Sequence, residues 1–292
     1  MYHKNPTYRI FYLFNIAFLV LISVVCVLPL IHIFAVSLSG KSAADSNLVG
    51  LIPVDFSLDG YLRTFENNNF LSALRISVLR SAVGTIMAMC VTVLAAFPLS
   101  RNSREFRGRS FYVWFFLIIM IFDAGLVPHY ILMEKINLIN SFWIFILPGL
   151  VNVWNIILMM NFFRALPRDL DEAAIMDGAT SFQIMSRIYL PVSLPAIATL
   201  SLFTLVGHWN AWFDGMLYMT SPDRWPLATL LQTIVVVQDF SKTGIRFEDL
   251  QTLSNRSVKS AQIFIAMLPI LLVYPFLQRF FVKGIVLGAV KE

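Results

Sequence analysis

Long apolar runs constrain this chain more than any other feature of its sequence. A helix needs about 20 mostly apolar residues to cross the hydrocarbon core of a bilayer, and six segments are long enough. They are residues 11–37, 71–99, 111–133, 142–163, 194–219 and 260–282. With 58% hydrophobic and 13% charged residues, the chain cannot hide its apolar surface in one water-soluble core. We therefore predict an all-α integral membrane protein, with residues 1–292 forming a single domain of six transmembrane helices.

The placement of basic residues predicts how these helices are oriented. Lys and Arg are enriched in short cytoplasmic loops, and the short loop after the second run carries Arg101, Arg104, Arg107 and Arg109. We therefore expect that loop, loop 164–193 and both termini to lie in the cytoplasm of a multi-pass protein of the cytoplasmic (inner) membrane. The long loops 38–70 and 220–259 then face outward.

Two further expectations concern the membrane boundary. Arg75 and Arg80, in the first turns of the second run, are expected to extend their charged ends to the lipid headgroups. In the second outer loop, residues 227–237 form an amphipathic stretch, which predicts a helix lying along the membrane surface.

The cytoplasmic loop 164–193 reads as two short helices. Acidic residues from Asp169 to Glu172 suit a helix N-terminus, and Gly178 suits its end. A second helix, about 181–188, is expected to stop at Leu190-Pro191. Small residues on the first helix let another backbone approach closely, so the pair is suited to docking into a groove of a partner protein. The alternative is an ordinary helical loop.

Several classes of chemistry lack a sequence signature in this chain. No Gly-x-x-x-x-Gly-Lys-Ser/Thr loop is present to cradle phosphates, so we expect no ATPase site of its own and no cofactor in this chain. Cys26 and Cys90 lie inside apolar runs, and the histidines have no partners at metal-ligand spacing. The basic residues flank apolar runs instead of forming a nucleic-acid stripe. We predict that the chain is not an enzyme and holds no metal.

One motif carries a family resemblance. Glu-Ala-Ala-x-x-Asp-Gly-Ala at 172–179, followed by Ile-x-Leu-Pro at 188–191, resembles the EAA loop of the membrane subunits of bacterial ATP-binding-cassette (ABC) importers. Segments 155–163 with 166–167, 208–212 and 281–284 resemble the maltose-type carbohydrate-uptake branch of that family. The stretches 122–128 and 224–227 resemble its polysaccharide and oligosaccharide subgroup.

This resemblance implies a type I ABC importer permease fold and a set of partners. The partners are a second, homologous permease subunit, two cytoplasmic ATPase subunits that bind ATP and Mg²⁺, an extracytoplasmic solute-binding protein and a carbohydrate substrate. The residues implied in coupling to the ATPase are Glu172, Ala173, Ala174, Asp177, Gly178, Leu190 and Pro191.

Polar and aromatic residues inside the apolar runs predict a substrate path. Polar groups are costly against lipid, so they should face a bundle interior or a wet cavity, and the indole rings of tryptophans suit stacking on sugars. The predicted path residues are Asp123, Asn152, Asn155, Trp209, Asn210, Trp212 and Asp214. His208, Trp212 and Gly215 are expected to share one helix face. The alternatives are hydrogen bonding between helices, anchoring of tryptophans at the membrane interface and, for Asp123, a helix break near the outer face.

Two other functions remain open at the level of sequence. An ion-coupled secondary transporter of a polar solute would show inverted repeats and a buried coupling carboxylate. Asp123 and Asp214 are the acids available for that role, and no repeat is evident. A membrane scaffold that transports nothing would not need the polar and aromatic fifth run.

Overall fold

The structure is a computed structural model, and it describes residues 6–102, 104–122, 124–236 and 256–289. Within these ranges the regular structure is helical, apart from one isolated antiparallel bridge between Ser39 and Phe56. The all-α prediction is confirmed.

The described helices follow one another in this order. They are α1 (Pro6–Ser37), α2 (Lys41–Asp45), α3 (Asp59–Glu66), α4 (Asn68–Ser100), α5 (Arg109–Ile121), α6 (Leu126–Lys135), a 3₁₀ turn (Phe142–Phe145), α7 (Val153–Arg164), α8 (Asp169–Met176), α9 (Ser181–Ile184), a π turn (Met185–Tyr189), α10 (Leu190–Val192), α11 (Leu194–Asn210), α12 (Phe213–Tyr218), a 3₁₀ turn (Pro222–Arg224), α13 (Leu227–Val236) and α14 (Arg256–Ala289).

Three described helices are long and apolar enough to cross a membrane. They are α1, α4 and α14, the last of these over Arg256–Pro275. Two bent pairs bring the number to five if each pair is one span: α5 with α6, bent by 113°, and residues 181–192 with α11, bent by 80°. The predicted runs 11–37 and 71–99 lie inside α1 and α4, and the run 260–282 lies inside α14.

The other three predicted runs are not single helices. The run 111–133 breaks between α5 and α6, and the run 194–219 breaks at Ala211. The run 142–163 contains a 3₁₀ turn and then the 12-residue α7. At 1.5 Å per residue α7 is about 18 Å long, less than the ~30 Å hydrocarbon core. Pro148 and Gly149 separate the two helical pieces, and both residues disfavour a continuous helix. The number of six spans stays a prediction.

The chain divides into two compact units, and each is described here by itself. The first comprises Met1–Leu71 with Leu231–Pro269, and the second comprises Ser72–Leu230 with Ile270–Glu292, both as far as their residues are described. In the first unit Ala35 and Val36, at the end of α1, pack against α2. Ser257 at the start of α14 donates a hydrogen bond to the Ser39 carbonyl. Within the described part of the chain, no residue in the most apolar window of α1 is buried, so this window is suited to contact with lipid.

The second unit contains the predicted coupling loop and most of the predicted path. Its largest core joins α4, α7, the loop helices and α11, around Phe97, Met159, Phe163 and Tyr189. At the start of α13, the Leu227 N–H donates to Ser77 Oγ of α4 at 2.7 Å, and both Leu227 and Thr229 are fully buried. The predicted helix is therefore present over Leu227–Val236, and its position along the membrane surface stays a prediction. Its first turn is bound to protein because Ser77 satisfies a backbone donor at the helix N-terminus.

Candidate functional site

The first loop helix ends as the glycine predicts. Gly178 has φ of +74°, in the left-handed region that a residue without Cβ adopts at little cost. The Gly178 N–H donates to the Ile175 carbonyl, and the Ala179 N–H donates to the Ala174 carbonyl. These two bonds form a Schellman motif. The motif ends α8 and turns the chain toward α9.

The second loop helix runs further than predicted. Thr180 and Gln183 form a capping box at the start of α9, a reciprocal pair that satisfies two backbone donors. The helical path then continues through the π turn and α10 to Val192, so the expected stop at Leu190-Pro191 is wrong. In an α-helix the Pro191 ring would clash with the carbonyl four residues earlier. The wider π turn immediately before it removes that conflict, and the chain bends only after Val192.

The faces of α8 have different surroundings. Asp171 and Ala174 are buried, with Ala174 in the large core, whereas Glu172, Ala173 and Met176 are exposed. Asp177, Gly178 and Pro191 are also exposed, and Leu190 is half-buried. Of the predicted coupling residues, Ala174 therefore packs inward, and most of the others remain available to a partner.

Asp171 in α8 contacts two side chains, Arg101 just past the end of α4 and Tyr189 in the π turn. Arg101 forms an ion pair with the Asp171 carboxylate, and Tyr189 donates its hydroxyl to the same oxygen at 2.7 Å. The Arg101 guanidinium lies 4.5 Å from the centroid of the Phe97 ring and 5.0 Å from that of Tyr189, within the range of cation–π attraction. Burial, followed by the hydrogen bond to Asp171, raises the pKa of Tyr189 to about 12. The phenol therefore stays protonated and keeps donating near neutral pH.

Arginines from the two predicted cytoplasmic loops, Arg109 and Arg164, cap the end of α4. The Leu99 carbonyl accepts from Arg109 Nε at 2.9 Å and from Arg164 Nη2 at 3.2 Å. Basic groups at a helix C-terminus satisfy its free carbonyls and favour its dipole. From the sequence, the arginines are predicted only to mark the cytoplasmic side. The contacts of Arg101 and Tyr189 with the predicted coupling helix α8 were not predicted. No local signal links residues 70 positions apart.

The predicted path residues are distributed over α7, α11 and α12. Asn152 caps α7 by accepting the Asn155 N–H, and the buried Asn155 amide donates to Thr204 Oγ1 of α11 at 3.0 Å. Trp209 is buried near the end of α11, while Asn210 and Trp212 are exposed. Asn155 thus takes the alternative role of a hydrogen bond between helices. Asp123 lies outside the described residues.

The helix break at Ala211 changes one expectation about faces. Ala211 is extended, with φ −70° and ψ 118°, and a new helix begins at Phe213. His208 and Trp212 therefore do not share one helix face, because the helical register is lost between them. His208 instead packs against α4 at Gly84, where an added Cβ would lie 2.7 Å from Nε2.

The prediction that Arg80 extends to the lipid headgroups is wrong. Its side chain does not extend to the headgroups, because the residue is only 2% exposed. Its guanidinium forms an ion pair with Asp214, and Nη1 donates to Asp214 Oδ1 at 3.2 Å and to the Ala211 carbonyl at 3.0 Å. The guanidinium also lies 4.8 Å from the centroid of the Phe145 ring. Arg80 thus binds both the predicted path residue Asp214 and the broken end of α11.

Comparison with known proteins adds the following. The sequence profile of the family described as "Binding-protein-dependent transport system inner membrane component" matches residues 71–287. The chain is 37% identical over 288 residues to a polygalacturonan/rhamnogalacturonan transport system permease protein of Bacillus subtilis (strain 168), covering 97% of this chain and 99% of that protein. It is 35% identical to protein LplC of the same organism, covering 99% of this chain and 97% of that protein.

A solved structure is also similar. A chain of a bacterial ABC transporter involved in the import of the acidic polysaccharide alginate superposes with a TM-score of 0.83 and 28% identity, covering 95% of this chain and 99% of that chain.

Proposed function

The chain belongs to the family of binding-protein-dependent transport system inner membrane components, and on that premise we propose how it couples ATP to the uptake of a saccharide. Members of this family are membrane permease subunits of ABC importers whose ATPase is a separate subunit. The proposal concerns three matters: the surface that receives the ATPase, the class of substrate and the orientation in the membrane.

The two faces of α8 carry the proposal for coupling. One face is held inside the protein by Asp171 and Ala174, and the other presents Glu172 and Ala173 outward. A partner ATPase that binds ATP and Mg²⁺ closes around this exposed face, with Glu172 paired to a basic group and Gly178 allowing close approach. The Arg101–Asp171–Tyr189 contacts then pass the movement to α4.

The substrate proposed is an acidic oligosaccharide or polysaccharide fragment. Support comes from the relative described for polygalacturonan and rhamnogalacturonan and from the similar structure described for alginate. The path includes residues near the break between α11 and α12, where Trp212 and Asn210 are exposed within the chain. Their aromatic and amide groups suit the faces and hydroxyls of sugars.

The orientation proposed has both termini and the Glu172 loop in the cytoplasm, following the arginines at 101–109. A second permease subunit completes the path, and a binding protein outside the membrane delivers the sugar. The ion-coupled alternative is disfavoured by the family to which the chain belongs. It is also disfavoured by the structure around Asp214, because the buried Arg80 neutralises the Asp214 carboxylate. A coupling carboxylate has to be free to take up its ion.

The test is a charge reversal on the exposed face of α8. We expect Glu172→Arg to abolish co-purification of the ATPase subunits and ATP-dependent uptake in proteoliposomes that contain the partner subunits and binding protein. Glu66→Arg is the matched control, because it makes the same substitution on an exposed residue at the end of α3, in the predicted outer loop, and should leave co-purification of the ATPase subunits unchanged. Uptake by a Glu172→Arg complex that has lost its ATPase subunits contradicts the proposal.

A further inference from the structure

Among the described residues, the carboxylate of Asp214 is the one that faces the buried cation of Arg80. Both terminal nitrogens bond to Asp214, and one of them also bonds to the Ala211 carbonyl. Its Nε is buried and has no hydrogen-bond partner. A guanidinium buried to this degree is stable only while a carboxylate faces it. Arg80 therefore always needs one carboxylate, although that group does not have to be Asp214.

The two partners differ in their access to the neighbouring cavity. The Arg80 side chain is 3% exposed, whereas the Asp214 side chain is 26% exposed. Asp214 lies in the first turn of the six-residue α12, directly after the helix break, and its Oδ1 also accepts the Gly215 N–H at 2.9 Å. Asp214 is thus the accessible half of the pair, with a backbone donor of its own to hold it.

The cavity beside the pair has the size and lining of a sugar subsite. Its volume is about 300 Å³, at the lower end of the range for ligand pockets, which suits one ring of a longer chain. Arg80 and Asp214 line it together with Phe145, Phe213, Tyr218 and His129. Aromatic rings beside hydrogen-bonding groups provide both a stacking face and partners for hydroxyls.

We propose that this cavity is a subsite for the carboxylate of an acidic sugar, in which Arg80 exchanges the Asp214 carboxylate for that of the substrate. The planar fork of arginine binds a carboxylate through two parallel hydrogen bonds, and Arg80 already does so with Asp214. After the exchange Asp214 accepts hydroxyls of the same sugar. Arg80 faces a carboxylate before and after, while the Asp214 carboxylate keeps the Gly215 N–H and its partial exposure to water.

This inference rests on the proposed function, and it adds a reason for selectivity. A neutral sugar has no carboxylate to offer, so the Arg80–Asp214 pair stays closed against it. Losing a charged hydrogen bond of this kind lowers affinity by at least about tenfold. The subsite therefore favours uronates over their neutral counterparts.

The test compares digalacturonate with its carboxyl-reduced, neutral disaccharide. Binding of each to the purified complex of permease and ATPase subunits, without the binding protein, is measured by calorimetry. We expect the wild-type complex to bind digalacturonate at least about tenfold more tightly. In Arg80→Met/Asp214→Leu we expect that ratio to fall to about one, and the complex to stay folded because well-packed apolar residues replace the buried ion pair.

A single substitution separates the subsite from a merely structural ion pair. Asp214→Asn removes the competing carboxylate and leaves Arg80 unmatched in the empty site. We therefore expect a lower melting temperature without ligand, digalacturonate binding that is several-fold tighter, and a melting temperature that digalacturonate restores but the neutral disaccharide does not. A structural ion pair instead predicts that Asp214→Asn weakens the binding of both sugars and that neither sugar restores the melting temperature. That result overturns the inference. The inference is also overturned if the double variant keeps the wild-type ratio of digalacturonate affinity to neutral-disaccharide affinity.

Failure of this inference is distinguishable from failure of the proposed function. A wild-type complex that imports saccharides on ATP hydrolysis but binds the two disaccharides equally refutes the subsite alone. A complex that discriminates between them in binding, yet imports no saccharide, refutes the proposed function alone.

Discussion

Arg101, one residue past the end of α4, forms an ion pair with Asp171 in the first turn of α8. The next residue along α8, Glu172, is exposed. Adjacent residues on a helix differ in direction by about 100°, so one turn of α8 has a residue bound to the protein and a residue free for a partner. The proposed coupling helix α8 is therefore connected to the long helix α4 by charge as well as by the covalent chain.

The first prediction concerns this connection. We expect Asp171→Asn to reduce uptake at least about tenfold while the ATPase subunits still co-purify, because α8 keeps its exposed face but loses its ion pair with Arg101. Breaking one side of a mostly buried pair costs about 3 kcal/mol or more, so a lower melting temperature is expected as well.

Tyr189→Phe is the graded comparison for Asp171→Asn. It removes only the hydroxyl that donates to Asp171 and keeps the ring beside Arg101, so we expect a loss of about 1 kcal/mol in stability and a small loss of uptake. If Asp171→Asn transports like wild type, these contacts do not transmit the movement.

The second prediction concerns the end of α8. Gly178 has a positive φ and no atom within 4 Å of a Cβ built there, so a substitution is penalised by backbone conformation and not by crowding. We expect Gly178→Val to destabilise the loop by about 1–2 kcal/mol, with Gly178→Asn much closer to wild type because Asn tolerates this conformation. Melting temperature and ATPase co-purification of the two variants measure the difference. Equal effects point to crowding against the partner instead.

The third prediction concerns the contact of α12 with α13. A Cβ at Gly215 would collide with the fully buried Thr229 and with Pro226, and Thr229 itself donates to the Trp212 carbonyl at 2.7 Å. We expect Gly215→Ala to destabilise the protein by about 1–3 kcal/mol, as overpacking does.

Gly207→Ala is the control for Gly215→Ala, because it lies in α11 with open space around its Cβ position. There we expect no loss of stability, or a gain of up to about 1 kcal/mol from helix propensity. Thermal unfolding of both variants in the same detergent is the measurement, and a stable Gly215→Ala protein contradicts the close packing.

The fourth prediction concerns Asn155, which was first expected in the substrate path. Its amide donates to Thr204 Oγ1 between α7 and α11, and such bonds in membrane proteins contribute about 0.6 kcal/mol on average, and about 1.7 at most. A double-mutant cycle of Asn155→Ala and Thr204→Val should give a coupling energy in that range, with the relative uptake of different sugars unchanged. If the sugar preference changes and no coupling energy is measured, Asn155 belongs to the substrate path and does not link the two helices.

Much of the coupling site was predictable because its signals are local. The helix end at Gly178 follows from what a residue without Cβ permits, and the first turn of α8 follows from its acidic residues. The helical class and several lipid-length segments follow from composition and run length. The break near Phe122 was only an alternative interpretation of Asp123, and the break at Ala211 was not predicted, because apolar content reports compatibility with lipid and says little about where a helix is interrupted.

A helical chain suited to a membrane, with a loop for a partner, could be predicted from the sequence alone. Which charges meet depends on the tertiary structure. Arg80 and Asp214 are separated by 134 positions, and Arg101 and Asp171 by 70. Periodicity and capping act within a few residues, whereas an ion pair depends on how α4 packs against the later helices. For this reason a residue expected at the headgroups, Arg80, is buried beside the broken end of α11.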